Sequence, residues 1–246
     1  MLYLLDRTNP ATPFPDVEQA EAEPNGLLAI GGDLSVKRLV RAYRSGVFPW
    51  YGAGEPILWW SPNPRMVLFP QRLRISRSLR KTLRKRLYSA SMDFSFDRVI
   101  EACAGPRRDG DDTWLMPEMI EAYRTLHRQH IAHSVEIWAG DDLVGGLYGV
   151  ALGRVFFGES MFSRVSDASK LALVHLCQEL LEWDYRLIDC QVHTGHLTRL
   201  GAEEIPRKTF TSLLGRWCPE TGRAGSWWRG RREIMFPTPL EGLSPP

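Results

Sequence analysis

Two polar side chains stand in a stretch that otherwise has the sequence of a buried strand. In RLIDCQ, residues 186–191, Asp189 and Gln191 alternate, so both side chains are expected on one face. Burying a carboxylate without a partner costs several kcal/mol or makes the group take up a proton. Asp189 is therefore either a structural carboxylate in an ion pair or a group that moves a proton on a bound ligand.

The histidines do not have the spacing of a metal site. His193 and His196 follow the strand and lie three residues apart, as do His127, His130 and His133. Metal binding would require a fixed constellation such as HExxH, which the sequence lacks. We therefore expect all five to be surface or core residues, and no metal.

The cysteines are scattered, without a CxxC pair. This pattern favours buried thiols in a reducing cytoplasm over disulfides or a zinc site. Cys190 lies between Asp189 and Gln191 and is expected to face the opposite side of the strand, where it is inert. The cysteines are Cys103, Cys177, Cys190 and Cys218.

The composition is that of a globular protein. Of the 246 residues, 43% are apolar and 24% are charged, and this length allows one large domain or two small ones. No run of about 18 apolar residues occurs, which argues against a membrane span. The N-terminal segment MLYLLDRTNPATPFPDVEQA lacks the basic region and the apolar stretch of a signal peptide. We expect a cytoplasmic protein.

A basic segment follows the first 70 residues. RLRISRSLRKTLRKR, residues 72–86, carries eight basic residues and no acidic one. From about Ser76 it predicts a helix with basic side chains at i, i+3 and i+4 on one broad face. Such a face is either solvated or bound to phosphates, and the lack of acidic partners favours nucleic acid because the charges otherwise repel one another. The basic positions are Arg77, Arg80 or Lys81, Arg84 and Lys85.

Turn-forming and aromatic residues dominate positions 1–70. EPNGLLAIGGDLS contains NG and GG, which require special backbone angles. Asp33 or Ser35 then caps a helix, VKRLVRAYRS, that ends at Gly46. Two short strand-like runs broken by prolines follow. The aromatic residues of this segment either anchor the core of a small domain, or some of them line a pocket or stack on a base. They are Trp50, Tyr51, Trp59 and Trp60.

Helices and strands alternate from residue 90 onward. The segment AHSVEIWAGDDLVGGLYGVALGRVFFGES predicts three consecutive antiparallel strands with turns at Gly140 and Gly153. A helix from Pro117 precedes these strands, and the longer helix DASKLALVHLCQELLEWD follows them. A parallel strand, RLIDCQ, and a last helix from near Pro206 complete an α+β domain. The tail is expected to be loop with one short element.

This order of elements resembles the acetyltransferase fold that binds acyl-coenzyme A, with its mixed, mostly antiparallel sheet. We expect a small N-terminal domain over residues 1–70, a basic helical segment over 71–90 and an acetyltransferase-like catalytic domain over 91–246. In the acetyltransferase fold, a glycine-rich loop holds the pyrophosphate on backbone N–H groups. The corresponding loop, GESMFSRVSDASK, has no glycine after Gly158, so the cofactor signature is missing.

Several segments together resemble bacterial leucyl/phenylalanyl-tRNA–protein transferases. The resemblance implies transfer of leucine or phenylalanine, and weakly methionine, from tRNA to the N-terminal arginine or lysine of an acceptor protein, which marks it for degradation. It implies no metal, no coenzyme A and no other cofactor. The matching segments are EPNGLLAIGGDLS, GVFPWY, PILWWSPNPR, SRSLRK, VGGLYGVALGRVFFGESMFSR, ASK, LIDCQ and LGAEEIPR.

The resemblance also implies roles for three polar residues in the attack of an α-amine on an aminoacyl ester. Gln191 accepts a hydrogen bond from the amine through its carbonyl, and Asp189 behind it strengthens that polarisation. Glu159, in GESMFS, steadies an amino group. An α-amine has a pKa of about 7.7–8.0, so the site must position it rather than generate a strong nucleophile.

The aminoacyl side chain requires an apolar pocket, and the tRNA requires cations. Leu147 stands where relatives commonly have methionine, the more adaptable filler, which changes the pocket shape. For each pocket residue, the sequence is equally consistent with packing in the protein core and with direct contact to the aminoacyl side chain. By resemblance the pocket residues are Trp50, Trp114, Leu147, Phe156, Leu176 and Leu180. The residues expected to bind tRNA are Arg77, Lys81, Arg84 and Lys85.

Two other functions are consistent with parts of the sequence. The order of elements fits an acyl-coenzyme A N-acetyltransferase. The loop GESMFSRVSDASK, which has no glycine after Gly158, argues against that function. The basic helix fits a non-catalytic RNA-binding protein, which leaves Glu159, Asp189 and Gln191 without a purpose. We expect a monomer. Whether a protein base or the terminal ribose hydroxyl of the tRNA handles the proton stays open at this stage.

Overall fold

A computed structural model of the chain describes residues 2–105 and 115–234. Within these ranges the strands form a small sheet and a large sheet. Helices pack on both, so the chain is α+β, as expected. Parallel pairing occurs between the first two strands of the small sheet and between two strands of the large one, and the other described pairs are antiparallel. In the described part of the chain, no helix is long and apolar enough to cross a membrane.

The small sheet and its helix form the N-terminal part. The strands lie in the order β1-β2-β4-β3. Ser35 caps the helix by accepting a hydrogen bond from the Arg38 N–H, which is one of the two predicted caps. Gly46 follows the helix at φ +77°, a conformation that favours glycine. The elements are β1 (Tyr3–Leu5), β2 (Leu27–Gly31), α1 (Val36–Arg44), β3 (Phe48–Pro49) and β4 (Leu58–Trp60).

The large sheet carries the site. Its order is β11-β5-β10-β9-β8-β7-β6-β12 among the described residues. The predicted three-strand meander is confirmed as β7, β8 and β9, and β10 pairs in parallel with β9 as predicted. Its strands are β5 (Arg65–Leu68), β6 (Ser89–Met92), β7 (Ala132–Ala139), β8 (Asp142–Leu152), β9 (Val155–Ser163), β10 (Leu187–Gln191), β11 (Glu203–Ile205) and β12 (Arg232–Glu233).

Helices cover both faces of the large sheet. Helices α3 and α4 pack on one face, and α5 packs on the other with α2 beside it. Tyr43 of α1 and Tyr123 of α4 meet on the first face, which joins the small sheet to the large one there. The helices are α2 (Arg77–Arg84), α3 (Phe96–Ala104), α4 (Pro117–Arg128), α5 (Ala168–Glu182), α6 (Gly195–Arg199) and α7 (Arg207–Trp217).

Helix α5 is buried on almost every side rather than along one stripe. It lies close to the sheet because Gly145 faces Ala168, and a Cβ at Gly145 would stand 2.4 Å from the Ala168 Cβ. The outer side of α5 is covered by the C-terminal segment, where Arg229 and Arg232 form ion pairs with Glu179. The expected short element of the tail is β12.

Strands β9 and β10 separate before they end. Their parallel pairing runs only from Leu187↔Val155 to Asp189↔Phe157. Beyond it β9 continues to Ser163, whereas β10 ends at Gln191. The separation opens a gap at the carboxyl ends of two parallel strands, where sheets of mixed α/β architecture commonly hold ligands.

Candidate active site

A cavity of about 380 Å³ occupies the gap between β9 and β10. This volume lies at the lower end of the range for small-molecule sites. Its walls come from the two separating strands, from β8 and α5, from α6 and the residues before it, and from β3 with Trp50 directly after it. Trp50 is 46% exposed, so it forms part of the rim rather than the core.

One wall of the cavity is apolar. It is formed by side chains on the α5 face of the sheet, with Ile188 and Leu173 beside the predicted residues. Phe156 reaches this wall because Gly149 leaves room for its ring, since a Cβ at Gly149 would stand 2.6 Å from it. The predicted pocket residues that line the cavity are Trp50, Leu147, Phe156 and Leu176.

Two predicted pocket residues are not part of this wall. Leu180, one turn after Leu176, is fully buried in the core beneath α5 and does not line the cavity. Helical geometry explains the difference, because the axis of α5 carries each turn 5.4 Å further from the gap. Trp114 lies outside the described residues.

Asp189 is held by a buried ion pair with Arg65. The Arg65 Nε donates to Oδ1 at 2.8 Å and Nη2 donates to Oδ2 at 2.7 Å, a bidentate geometry. Arg65 is 1% exposed and Asp189 is 0% exposed. The rings of Phe48 and Phe210 stand 4.8 and 4.7 Å from the guanidinium carbon, so the cation is placed between two aromatic faces.

The partner of Asp189 was missed in the sequence, although the signal was present. Arg65 ends PILWWSPNPR, a segment that carried the family resemblance. A buried carboxylate requires a cation or several donors, so an arginine in such a segment is a natural candidate. The two positions are 124 apart in the sequence, so local patterns do not reveal the pairing.

Gln191 departs from the alternation that the strand pattern predicts. The register of β10 against β5 shifts between Asp189 and Gln191, and Gln191 has φ +64°. Its backbone N–H donates to Asp189 Oδ1 at 2.9 Å, which holds this uncommon conformation in place. Asp189 therefore contacts the backbone of Gln191, and the Gln191 carboxamide turns towards Glu159 instead.

Glu159 is buried and accepts hydrogen bonds from uncharged donors. Gln191 Nε2 donates to Oε1 at 2.9 Å and the Tyr123 hydroxyl donates to Oε2 at 2.5 Å. Burial raises the pKa of Glu159 to about 7, and the neighbouring hydroxyls of Tyr123 and Tyr43 oppose that rise. The structure thus places Glu159 and Gln191, both predicted site residues, in direct contact on one wall of the cavity.

Three buried tyrosines surround Glu159 and were not predicted as site residues. The Tyr43 and Tyr123 hydroxyls lie 2.6 Å apart, and because Tyr123 donates to Glu159, Tyr43 must donate to Tyr123. The Tyr148 ring packs 5.3 Å from that of Tyr123, and its hydroxyl has no partner among the described residues. Burial raises the pKa of all three well above the ordinary tyrosine value.

Cys190 and His196 also line the cavity. Burial raises the pKa of the Cys190 thiol, which keeps it protonated and a weak nucleophile. Burial and the charges of Lys170 and Arg199 lower the pKa of His196. In the ranges that the structure describes, no group of three or more His, Cys, Asp and Glu side chains is arranged to hold a metal ion.

The basic helix α2 is amphipathic. Leu79 and Leu83 are buried against the α5 side of the sheet, and Ser76 caps the helix by accepting from the Leu79 N–H. Thr82 donates to Asp167 at 3.2 Å, which ties α2 to the start of α5. The predicted tRNA-binding residues are all exposed, and no described acidic residue pairs with them. They are Arg77, Lys81, Arg84 and Lys85.

The arrangement combines an apolar recess with a carboxylate and an amide that share one wall. The recess can bury an apolar side chain, since it offers Leu147, Phe156 and Leu176. Glu159 can hold an amino group, and Gln191 keeps its carbonyl oxygen for a second N–H because Nε2 is used by Glu159. Such a site fits an aminoacyl group with an apolar side chain.

Family models and relatives agree on what the chain is similar to. Residues 67–215 match the leucyl/phenylalanyl-tRNA protein transferase model, and residues 32–63 match the model of its N-terminal domain. A leucyl/phenylalanyl-tRNA–protein transferase from Nitrosomonas eutropha is 60% identical over 216 residues, which are 88% of this chain and 92% of the relative. One from Methylococcus capsulatus is 55% identical over 227 residues, 92% of this chain and 97% of the relative.

A solved structure, a GCN5-related N-acetyltransferase from Kribbella flavida, aligns with a TM-score of 0.36 at 15% identity over 66% of this chain and 58% of its own. The family model covers more than half of the chain, and these two relatives match most of it at more than half identity. The chain therefore belongs to the leucyl/phenylalanyl-tRNA–protein transferase family and is a transferase.

Proposed function

We propose that this transferase moves leucine or phenylalanine, and methionine weakly, from aminoacyl-tRNA to the N-terminal arginine or lysine of an acceptor protein. The peptide bond it forms marks the acceptor for degradation. The observation that carries the proposal is the apolar recess whose wall holds Glu159 and Gln191 in contact. In this proposal the protein acts as a monomer, and the aminoacyl-tRNA substrate supports a cytoplasmic reaction.

The polar residues of the site have different roles in the attack of the amine on the ester. The Gln191 carbonyl accepts a hydrogen bond from the amine, while its N–H₂ group donates to Glu159, which strengthens the carbonyl as an acceptor. Asp189 holds the Gln191 backbone, and Arg65 holds Asp189. Because an α-amine with a pKa of about 7.7–8.0 is partly neutral at pH 7, orientation supplies much of the rate.

The shape of the recess sorts the apolar amino acids. A polar side chain would be buried there without a partner, whereas one methylene changes binding by only about 1–3 kcal/mol. Leucine, phenylalanine and methionine have an unbranched Cβ, and valine and isoleucine carry two heavy atoms there. A narrow neck near the Cβ, between Trp50 and Phe156, admits the first group. Isoleucine and valine are then transferred at least about tenfold less well, the low end of that energy range.

The tRNA body binds on α2 in this proposal. The exposed Arg77, Lys81, Arg84 and Lys85 lack acidic partners among the described residues, so phosphates would neutralise them. Helix α2 is tied to the start of α5, and Leu173 and Leu176 of α5 line the cavity. Helix α2 thus contacts the helix that forms one wall of the recess, which supports delivery of the tRNA 3′ end to it.

One assay tests the function. Purified protein is mixed with tRNA charged with radiolabelled leucine and with a protein that begins with arginine, and acid-precipitable label is counted. The matched control is the same acceptor with an acetylated N-terminus, which has no free α-amine. Label should enter only the free acceptor. Label transferred from acetyl-coenzyme A but not from leucyl-tRNA would instead make the chain an acetyltransferase.

A further inference from the structure

We infer that Glu159 takes the proton from the attacking amine and that the hydroxyl pair of Tyr43 and Tyr123 positions it for this step. The inference rests on the proposed function and adds the identity of the base. It stands on the contacts of Glu159 on the cavity wall, where two uncharged groups hold the carboxylate. Tyr43 and Tyr123 act through Glu159 and are positioning residues.

Asp189 is poorly placed for the same task. Its oxygens accept the Arg65 Nε and Nη2 and the Gln191 backbone N–H, and the side chain is 0% exposed. Taking up the proton of an amine would neutralise Asp189 and break its bidentate ion pair with Arg65. A carboxylate has about four lone-pair sites, and among the described residues the hydrogen bonds to Glu159 use two of them, from Tyr123 and Gln191. Glu159 thus retains room for an amine on the cavity side.

The charges that face Glu159 leave it able to change its protonation near neutral pH. Tyr43 on α1, Tyr123 on α4 and Tyr148 on β8 stay neutral because burial raises their pKa. From β10 the charge of Asp189 raises the pKa of Glu159, and from β5 the charge of Arg65 lowers it. Burial is the largest influence, and the resulting pKa of about 7 suits a base that works at neutral pH.

The proton is accounted for throughout the reaction. The amine nitrogen bonds to the ester carbonyl carbon, and one of its protons passes to the Glu159 carboxylate. The carbon–oxygen ester bond then breaks, and Glu159 returns the proton to the departing ribose oxygen of the tRNA. The products are an amide and a free ribose hydroxyl, and Glu159 ends as the carboxylate with which it began.

The tyrosine pair has a measurable effect on Glu159. Both tyrosine hydroxyls lower the pKa of Glu159, Tyr123 by donating to it and Tyr43 by donating to Tyr123, so removing either hydroxyl raises that pKa. A hydrogen bond to a charged group is strong enough to move that pKa by about one unit. The base must be ionised to act, so the rate rises with pH through its midpoint. A raised midpoint therefore slows transfer at neutral pH and leaves it near normal at high pH.

The test compares single-turnover leucine transfer across pH in the wild-type protein, Tyr123→Phe and Tyr43→Phe, with Tyr148→Phe as the matched control. We expect the midpoint of the acid limb to rise by about one unit in Tyr123→Phe. It should rise less in Tyr43→Phe and stay at the wild-type value in Tyr148→Phe, which also loses a buried hydroxyl. The titrating acceptor amine is common to all four proteins and cancels in the comparison.

A second measurement separates the inference from the proposed function. Carbon NMR of protein labelled at the glutamate carboxyl, with Glu159→Gln to assign the signal, follows the Glu159 titration without tRNA. No leucine transfer by the wild-type protein would end the proposed function. The inference would be overturned if Tyr123→Phe shifted the Glu159 titration seen by NMR but left the midpoint of the pH–rate profile for leucine transfer at the wild-type value. If Tyr123→Phe fails to fold by circular dichroism, Tyr43→Phe decides by the same two readouts.

Discussion

Replacing Arg65 by methionine should expose how much the buried ion pair contributes to stability. Methionine keeps an unbranched apolar chain between the rings of Phe48 and Phe210 and removes the charge. Of the three hydrogen bonds that Asp189 accepts in the described structure, only that from the Gln191 backbone N–H would remain. The fold would then hold a buried carboxylate without a cation.

The size of the effect follows from burial and geometry. The two lost bonds, at 2.8 and 2.7 Å, go to a charged acceptor, and each such bond is worth about 1.5–3 kcal/mol. Breaking a fully buried pair costs about 3–5 kcal/mol, because the remaining charge has no compensation. We therefore expect Arg65→Met to lower the free energy of unfolding by about 3–5 kcal/mol.

Urea unfolding followed by tryptophan fluorescence measures this change. The double variant Arg65→Met/Asp189→Leu should recover most of the loss, because a pair replaced by apolar groups of similar volume is often neutral. It should nevertheless transfer leucine slowly, since the Gln191 N–H loses its acceptor. This double variant would then be nearly as stable as the wild-type protein but much less active in leucine transfer.

A matched control uses an exposed pair. Arg128 lies 2.7 Å from Glu121, and both side chains are more than half exposed. Arg128→Met should leave unfolding unchanged within error, because solvent screens such pairs. If Arg65→Met were as harmless as this control, or if the double variant were no more stable than the single one, the pair would not stabilise the fold as argued.

Three further predictions concern transfer. Arg77→Ala and Arg84→Ala should weaken binding of any tRNA and reduce the log-affinity against log-salt slope by roughly 0.7–0.9 each; an unchanged slope would remove α2 from the interface. Gln191→Ala should lower kcat while aminoacyl-tRNA affinity stays near wild type, and a changed affinity with unchanged kcat would contradict its role beside the amine. Phe156→Ala should widen the recess, so competition between leucyl- and isoleucyl-tRNA should favour leucine less than in the wild type; undiminished selectivity would exclude Phe156 from the neck.

Much of the fold could be predicted because its signals are local. The meander β7–β9 is rich in β-branched and aromatic residues and turns at glycines, and α4 and α5 have clear starts. The strands whose sheet could not be predicted are short, and they are defined by distant partners. Strand β5 lies within the segment expected to form the N-terminal domain, yet it pairs with β10 and β11 of the large sheet. The sequence of a four-residue strand does not indicate which of two sheets the strand will pair with.

The site could be predicted in its residue types but not in its contacts. Alternation predicts that Asp189 and Gln191 project side by side, whereas the register shift and the left-handed Gln191 backbone send the carboxamide to Glu159. A bulge of this kind requires an acceptor for the turned N–H, and Asp189 supplies it only after Arg65 has fixed its position. Each step depends on a residue far away in sequence.

The two buried carboxylates differ by environment rather than by type. Asp189 meets a guanidinium, whereas the hydrogen bonds to Glu159 in the described residues come from an amide and a tyrosine hydroxyl. Tyr123 lies 36 residues before Glu159 and Tyr43 a further 80 before that, each on the buried face of its helix, where a sequence pattern indicates only core packing. Burial without a cation brings the pKa of Glu159 to about 7, so this carboxylate, unlike an ion-paired one, can take up and release a proton at neutral pH. The partners of the two carboxylates thus explain their different roles: Asp189, paired with Arg65, holds the Gln191 backbone, and Glu159, bound by neutral donors, is able to take up and release a proton.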